Sequence, residues 1–164
     1  MTAAHLLLTL LPLATPQTTD IRPTYDKLCA GCHGLDARGT QQGPGLSGNF
    51  RLRRRSNQQL RNIIVKGVPS AGMPPFDLPD AQLDALVALV VSLNTTAAGV
   101  PIPGDRAAGQ AFFRNQGKCT ACHMAQGTGS PIGPDLSNVA RELTVDQLRD
   151  ALLTPSSSIA SGYT

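Results

Sequence analysis

Apolar residues recur at helical spacing in several segments of this chain of 164 residues. The clearest run lies between residues 79 and 94, where Pro79 and Asp80 suit the first turn of a helix. The apolar side chains of this run share one helical face and are Leu83, Leu86, Val87, Val90 and Leu93. The pattern predicts an amphipathic helix that buries this face.

Two further segments repeat one another. Residues 56–64 parallel residues 144–152, and each segment begins with a Ser or Thr that can cap a helix. Each also carries apolar residues on one helical face. The parallel predicts a tandem duplication of a small helical unit.

The same five-residue motif occurs once in each unit. Residues 29–33 read Cys-Ala-Gly-Cys-His, and residues 119–123 read Cys-Thr-Ala-Cys-His. This spacing is typical of c-type haem attachment, in which two thiols form thioethers with one porphyrin and the histidine binds the iron. The sequence therefore predicts two covalently bound haem c groups. Their attachment residues are Cys29, Cys32, Cys119 and Cys122, and their proximal iron ligands are His33 and His123.

Three other chemistries use paired cysteines. A redox-active dithiol belongs after a strand, and neither motif follows a strand pattern. A zinc site made of all four cysteines leaves both adjoining histidines unexplained, because sequence neighbours rarely ligate one tetrahedral ion. Two structural disulfides are the remaining alternative for an exported protein. Haem attachment accounts for every residue of the motif.

The composition agrees with a cofactor at the centre of each unit. The chain has no Trp, two Tyr and four Phe, and each unit is small for a self-sufficient apolar core. A haem supplies a large apolar disc around which such a unit can pack. We expect the rings of Tyr25 and Phe113, which precede the two motifs, to contact the haem or a neighbouring helix, or simply to pack in the core.

The first 19 residues predict an export signal. Leu and other apolar residues dominate positions 6–14, a stretch too short to span a bilayer. This segment lacks the usual Lys or Arg, so a plain apolar N-terminus is the alternative. Because c-type haem is attached outside the cytoplasm, we expect a periplasmic protein.

Positive charge is concentrated in the first unit. Residues 20–94 hold nine basic and six acidic residues, and four of the arginines cluster at Arg51, Arg53, Arg54 and Arg55. This run suits a docking patch for an acidic redox partner, a site that neutralises haem propionates, or a solvated basic loop. No aromatic residues interleave with it, so nucleic-acid binding is not indicated.

Composition also suggests the domain boundaries. Residues 95–104 are rich in small residues and proline and predict a linker. The linker separates a first domain at 20–94 from a second at 105–164.

The first unit resembles a class I c-type cytochrome. It has, in order, a short helix, the motif at 29–33, a Gly-Pro-Gly-Leu segment at 43–46, a middle helix, a Gly-Met-Pro loop at 72–74 and a closing helix. The resemblance implies that the carbonyls of Pro44 and Pro134 accept a hydrogen bond from the proximal histidines. It also implies that Met73 is the sixth ligand of the first iron, although a methionine can instead fill a core gap. Ile21 stands where this family usually has Gly at the crossing of its terminal helices.

The second unit resembles the family only as far as its middle helix. It is similar to haem-binding modules of larger bacterial cytochromes and dehydrogenase-linked proteins. The spacing that leads from Leu60 to Met73 leads from Leu148 to Ser161, so no methionine occupies that place. We expect a truncated unit, a five-coordinate haem, or an iron whose coordination a partner completes.

Together these features predict an all-α protein of two tandem small cytochrome c domains, the second incomplete. The expected function is electron transfer in the periplasm by a non-enzymatic di-haem carrier. The resemblance suggests a quinoprotein dehydrogenase as donor and another cytochrome or a terminal oxidase as acceptor. The alternative is a haem peroxidase or gas sensor that uses an open distal position on the second haem.

Overall fold

The computed structural model describes residues 20–157, 159–160 and 162–163, so the predicted export signal lies outside the described residues. Within them the helices are α1 (Arg22–Leu28), α2 (Ala30–His33), α3 (Phe50–Arg53), α4 (Asn57–Lys66), α5 (Asp80–Ser92), α6 (Arg106–Arg114), α7 (Val139–Glu142) and α8 (Val145–Leu153). Short 3₁₀ turns lie at Pro69–Ala71, Ala97–Gly99, Cys119–Ala121 and Pro155–Ser157. The fold is helix-rich, as predicted.

Helix α5 follows from its apolar pattern. It begins after Pro79, which occupies the N-cap, and Asp80 lies in the first turn near the positive end of the helix dipole. Leu83, Leu86 and Val87 are buried, which confirms the predicted buried face. This helix closes the first unit.

The predicted caps of α4 and α8 are both present, and both are capping boxes. The Ser56 hydroxyl accepts a hydrogen bond from the Gln59 N–H, and the Gln59 side chain accepts one from the Ser56 N–H. Thr144 and Gln147 form the same pair of bonds at the start of α8. Each box satisfies two backbone donors that the helix itself leaves unpaired. The repeat therefore holds in the hydrogen bonding as well as in the sequence.

The core of the first unit is centred on Tyr25, which is 1% exposed. Its ring packs with Ala30, Ala37 and Leu86, and its hydroxyl donates a hydrogen bond to the Gly34 carbonyl at 2.8 Å. Ile21 packs against the same cluster. Of the roles expected for Tyr25, the structure supports packing against the core and the closing helix. Phe113, the corresponding candidate of the second unit, is half-buried.

A short antiparallel ribbon is the one pair of β-strands among the described residues. Strand β1 (Met124–Ala125) pairs with β2 (Thr128–Gly129) directly after the second motif. The connecting residues Gln126 and Gly127 both have positive φ, the conformation that two-residue hairpins of type I′ require. Apolar periodicity does not report such a short ribbon, because it spans only two residues on each side.

The segment predicted as a linker is partly packed. Ala97 is buried, and its N–H donates to the Leu143 carbonyl at the end of α7, at 2.9 Å. Residues 101–104 are exposed. The first half of the connection is therefore fixed against the second unit.

Among the described residues, no helix combines the length and apolar character needed to cross a membrane.

Candidate haem-binding sites

The first motif folds into a single helical turn. Helix α1 ends at Leu28, and Cys29 then caps α2, its carbonyl accepting hydrogen bonds from the N–H groups of Cys32 (3.1 Å) and His33 (2.9 Å). Cys32 is exposed, while Cys29 and His33 are half-buried. The two thiols and the imidazole are thus presented by one short, hydrogen-bonded piece of backbone.

The second motif repeats this geometry. The Cys119 carbonyl accepts hydrogen bonds from the N–H groups of Cys122 (3.1 Å) and His123 (2.8 Å). Cys122 is exposed and Cys119 is half-buried, as at the equivalent positions of the first motif. The duplication therefore preserves the arrangement of the three chemically active side chains.

Each motif histidine is held by the proline that follows it by eleven residues. His33 Nδ1 lies 2.7 Å from the Pro44 carbonyl oxygen, and His123 Nδ1 lies 2.8 Å from that of Pro134. A carbonyl oxygen only accepts hydrogen bonds, so Nδ1 carries the proton and donates it in both cases. In the neutral imidazole with its proton on Nδ1, Nε2 is the nitrogen with a free lone pair, which is the atom that can bind a metal.

A glycine before each proline is a functional residue that the sequence reasoning did not single out. A Cβ on Gly133 would lie 2.8 Å from both Cε1 and Nδ1 of His123, and a Cβ on Gly43 would lie 2.9 Å from the Cys32 carbonyl oxygen. Real Cβ atoms avoid such distances. Each glycine therefore lets its loop approach the motif closely enough for the next residue to reach the histidine. The shared Gly-Pro pair ten and eleven residues after the histidine was the available signal.

The other cysteine chemistries find no support in the structure. All four cysteines are free, so neither motif forms a disulfide. In the part of the chain that the structure describes, no group of Cys, His, Asp and Glu converges as a metal-ion site would. Burial, and then the charge of the nearby Cys32, raises the pKa of the Cys29 thiol. A redox-active dithiol needs the opposite shift.

Met73 lies on a tight loop between α4 and α5. Met73 and Val68 exchange two backbone hydrogen bonds (2.9 and 3.2 Å) across the 3₁₀ turn Pro69–Ala71, and Gly72 has a φ of +82°. The Met73 side chain is half-buried. In the second unit the predicted counterpart, Ser161, lies outside the described residues. Met124 directly follows His123 and forms β1.

The arginines of the run at residues 51–55 differ in burial and in what they contact. Arg53 donates to the Glu142 carbonyl of the second unit at 3.0 Å, and its buried Nε has no hydrogen-bond partner among the described residues. Arg53 and Arg55 line a cleft of about 300 Å³ together with apolar side chains that include Leu60. Arg54 and Arg55 are exposed. One member of the run thus joins the two units, and the others face solvent.

The residues present fit covalently attached haem. Each unit offers two free thiols on one turn, an imidazole whose Nε2 is available, and a loop drawn close to that imidazole. In haem-loaded units Cys29, Cys32, Cys119 and Cys122 would hold the porphyrin, and His33 and His123 would face the iron. The haem supplies the one-electron chemistry of its iron.

Comparison with protein families agrees with this geometry. Residues 16–90 match the family described as cytochrome c oxidase, cbb3-type, subunit III, and residues 106–163 match the family described as cytochrome c. No curated protein and no solved structure gives a significant match. The two family matches stand in tandem and together cover most of the chain. The chain belongs to the class I c-type cytochromes, with two haem-binding units, and carries electrons by means of covalently bound haem c.

Proposed function

We propose that this protein is a di-haem electron carrier of the periplasm, which accepts electrons from a dehydrogenase and delivers them to a downstream cytochrome or oxidase. The observation that carries the proposal is the hydrogen bond from the motif histidine to a proline carbonyl, present in both units at 2.7 and 2.8 Å. A bond of this kind fixes the tautomer and plane of a ligating imidazole and makes it a stronger donor to the iron. Both units carry it, so both are proposed to hold haem.

The first iron is proposed to have His33 and Met73 as its axial ligands. A thioether is a soft ligand that raises the haem potential relative to ligation by two nitrogens. The hydrogen-bonded loop around Met73 limits the positions that its sulfur can take. An iron with both axial positions filled exchanges electrons without binding substrate, which suits a carrier rather than an enzyme.

The second iron is proposed to have His123 as its proximal ligand. Met124 is tied to strand β1 beside His123, and Leu136 donates a backbone hydrogen bond to the Met124 carbonyl at 2.8 Å. Its thioether therefore stays on the His123 side and does not reach the opposite face of the haem. This observation supports the second candidate function, a haem that binds peroxide or a diatomic gas at an open distal position.

The family match and the N-terminal segment support the proposed partners and compartment. The match to an oxidase subunit supports redox partners that are oxidase components. The apolar segment at positions 6–14 supports export. The exposed arginines Arg54 and Arg55 offer positive charge to an acidic partner surface.

Carbon monoxide binding separates the two candidates. The protein is matured in a host that attaches c-type haem, reduced with dithionite, and titrated with carbon monoxide while the haem absorption is followed. A carrier with both irons capped binds none. Binding to about half of the haem would place an open site in the protein, and the variant C119A/C122A, which removes the second attachment site, would assign that site to the second haem if its carbon monoxide binding is lost. A protein without any c-type haem spectrum would contradict both candidates.

A further inference from the structure

The second unit contacts the loop that holds the first proximal histidine. We define the proximal loop as residues 37–48, which include Pro44. Arg38 on this loop forms an ion pair with Asp150 on α8, with 2.5 Å between Arg38 Nη1 and the Asp150 carboxylate. Gln147, one turn earlier on α8, donates to the Gly48 carbonyl at 3.3 Å. Helix α8 therefore touches the proximal loop near both of its ends.

Backbone contacts connect Arg38 to Pro44 inside the loop. Gly39 and Pro44 form an antiparallel bridge. A Cβ on Gly39 would lie 2.6 Å from the Gly45 nitrogen, and a Cβ on Gly45 would lie 2.8 Å from the Arg38 carbonyl oxygen. The two arms of the loop, residues 38–39 and 44–45, are thus packed as closely as their backbones allow. A displacement of Arg38 is transmitted to Pro44, because no side chain lies between them to absorb it.

The loop has a second anchor within its own unit. Asn94, which is 3% exposed, donates to the Leu46 carbonyl (2.8 Å) and accepts from the Asn49 N–H (2.6 Å). This anchor holds the far end of the loop. The end that carries Arg38 is held from both sides. Within the first unit, Ala37 is buried and its carbonyl accepts hydrogen bonds from the N–H groups of Leu46 and Ser47, and from the second unit α8 pairs with Arg38, so both units contribute to the position of the Pro44 carbonyl.

The ion pair is specific to this contact and is not a remnant of the duplication. By spacing from the middle-helix leucine, the position of Asp150 on α8 corresponds to Asn62 on α4. Among the described residues, the side-chain amide of Asn62 bonds only to Gln58 on the same helix. By spacing from the motif histidine, Arg38 corresponds to Thr128. Neither Asn62 nor Thr128 carries charge, so each partner of the pair is present only on the surface where the units meet.

From these contacts we propose that Arg38 and Asp150 are positioning residues for the first haem. The second unit, through α8, sets the hydrogen bond between the Pro44 carbonyl and His33, and thereby the potential of the first iron. The inference rests on the proposed ligation of that iron by His33. A strong bond from Nδ1–H gives the imidazole more negative character, which favours ferric iron and lowers the potential.

The sign of the potential shift distinguishes this mechanism from a simple charge effect. Removing the negative charge of Asp150 raises the potential of a nearby iron by Coulomb interaction, and removing the positive charge of Arg38 lowers it. Loosening of the proximal loop weakens the His33 hydrogen bond in either case. The proposal therefore expects both D150N and R38Q to raise the potential of the first haem.

The test is a redox titration of both haems, assigned by NMR, in the full haem-loaded protein. We expect D150N and R38Q to raise the first potential and to speed exchange of the His33 Nδ1 proton several-fold. The charge-swapped protein R38D/D150R should return both values toward wild type. The control R149Q removes an exposed charge from the same helix and should leave the proton exchange unchanged. The pair is half-exposed, so the variants should fold.

Three outcomes would overturn the inference: shifts of opposite sign in the two single variants, no shift in either, or a shift without faster proton exchange. A wild-type protein that lacks haem c would instead contradict the proposed function. The two failures are therefore distinguishable.

Discussion

The two units share their motif turn, their histidine–proline bond and their capped middle helix, but they differ in what they bury. In the first unit the fully buried apolar side chains include three on α5 and Leu60 on α4. Between residues 105 and 157, no apolar side chain is fully buried. Leu148, the counterpart of Leu60, is half-buried, and Leu152 and Leu153 are 79% and 68% exposed.

This difference separates the structural requirements of the proximal histidine site from those of the apolar core. The proximal geometry does not require a buried apolar core, because both units form it and only the first unit has such a core. The core requires α5, which packs on α4 and covers Leu60 in the first unit. The second unit therefore depends more strongly on the haem itself for its apolar contacts.

The largest expected difference between the units is at the paired leucines. L60A should destabilise the first unit by about 2–5 kcal/mol, because it removes a fully buried side chain and leaves a cavity. L148A should cost less than half of that, because Leu148 is only half-buried. Denaturant unfolding, monitored through hydrogen exchange of the backbone amides in α4 and α8, measures the loss of stability in each variant. Equal losses would contradict the difference in burial.

The paired glycines should break the proximal geometry in both units. G133A places a methyl group against the His123 ring, and G43A places one against the Cys32 backbone. We expect a cost of about 1–3 kcal/mol in each unit from overpacking. Because only Gly133 touches the ring itself, G133A should also shift the NMR signals of the proximal histidine more than G43A does. If G133A left the NMR signals of the His123 ring unchanged, the loop that carries residue 133 would be free to move away from the ring, contrary to this prediction.

Tyr25 gives the first unit a dependence of its stability on alkaline pH. Burial, then nearby charges led by Cys29, raises the pKa of Tyr25 above its usual 10.0. The neutral phenol therefore stabilises the fold fully below pH 10, and this stabilisation is lost as pH rises through the higher folded-state pKa. Y25F should cost about 1–1.5 kcal/mol at neutral pH, because the Gly34 carbonyl loses its donor.

Above pH 10 the stability difference between wild type and Y25F should shrink, since only the wild type has a phenol to ionise. Urea unfolding at neutral and alkaline pH measures this difference. A gap that widens with pH would contradict the assigned direction of the shift.

The smallest and most equal effects are expected at the capping boxes. S56A and T144A each remove one side-chain acceptor from the first turn of a helix, at a cost of about 0.5–1 kcal/mol. Near-equal losses by thermal unfolding would show that local helix signals were kept through the duplication. If only one of the two variants lost stability, the capping box of the other helix would be shown to be redundant with tertiary packing.

Local signals in the sequence were sufficient for much of this structure. The spacing of Leu83, Leu86 and Val87 predicts the buried face of α5, and Ser56 and Thr144 predict the two caps, because each depends on residues within one or two turns. The hydrogen bonds from His33 to Pro44 and from His123 to Pro134 were implied by the resemblance to class I c-type cytochromes and not by a local pattern, and both are present.

Features that depend on distant residues were not predictable in this way. The pairing of Arg38 with Asp150 joins residues from different units, and no local pattern in either segment indicates it. The repeated Gly-Pro pair marks the position of Gly133 in the sequence, but its distance from the His123 ring is set only when the loop folds back on the motif. The Gln126-Gly127 turn has conformational preferences but too few flanking residues to show an alternating pattern.

Mass spectrometry of the denatured protein, matured in a host that attaches c-type haem, tests the central claim most directly. The account predicts a mass increase of two haems on the wild-type chain. It predicts one haem on the C29A/C32A variant and one on the C119A/C122A variant. A wild-type chain that carries one haem or none under denaturing conditions would contradict the claim that both motifs bind the cofactor covalently.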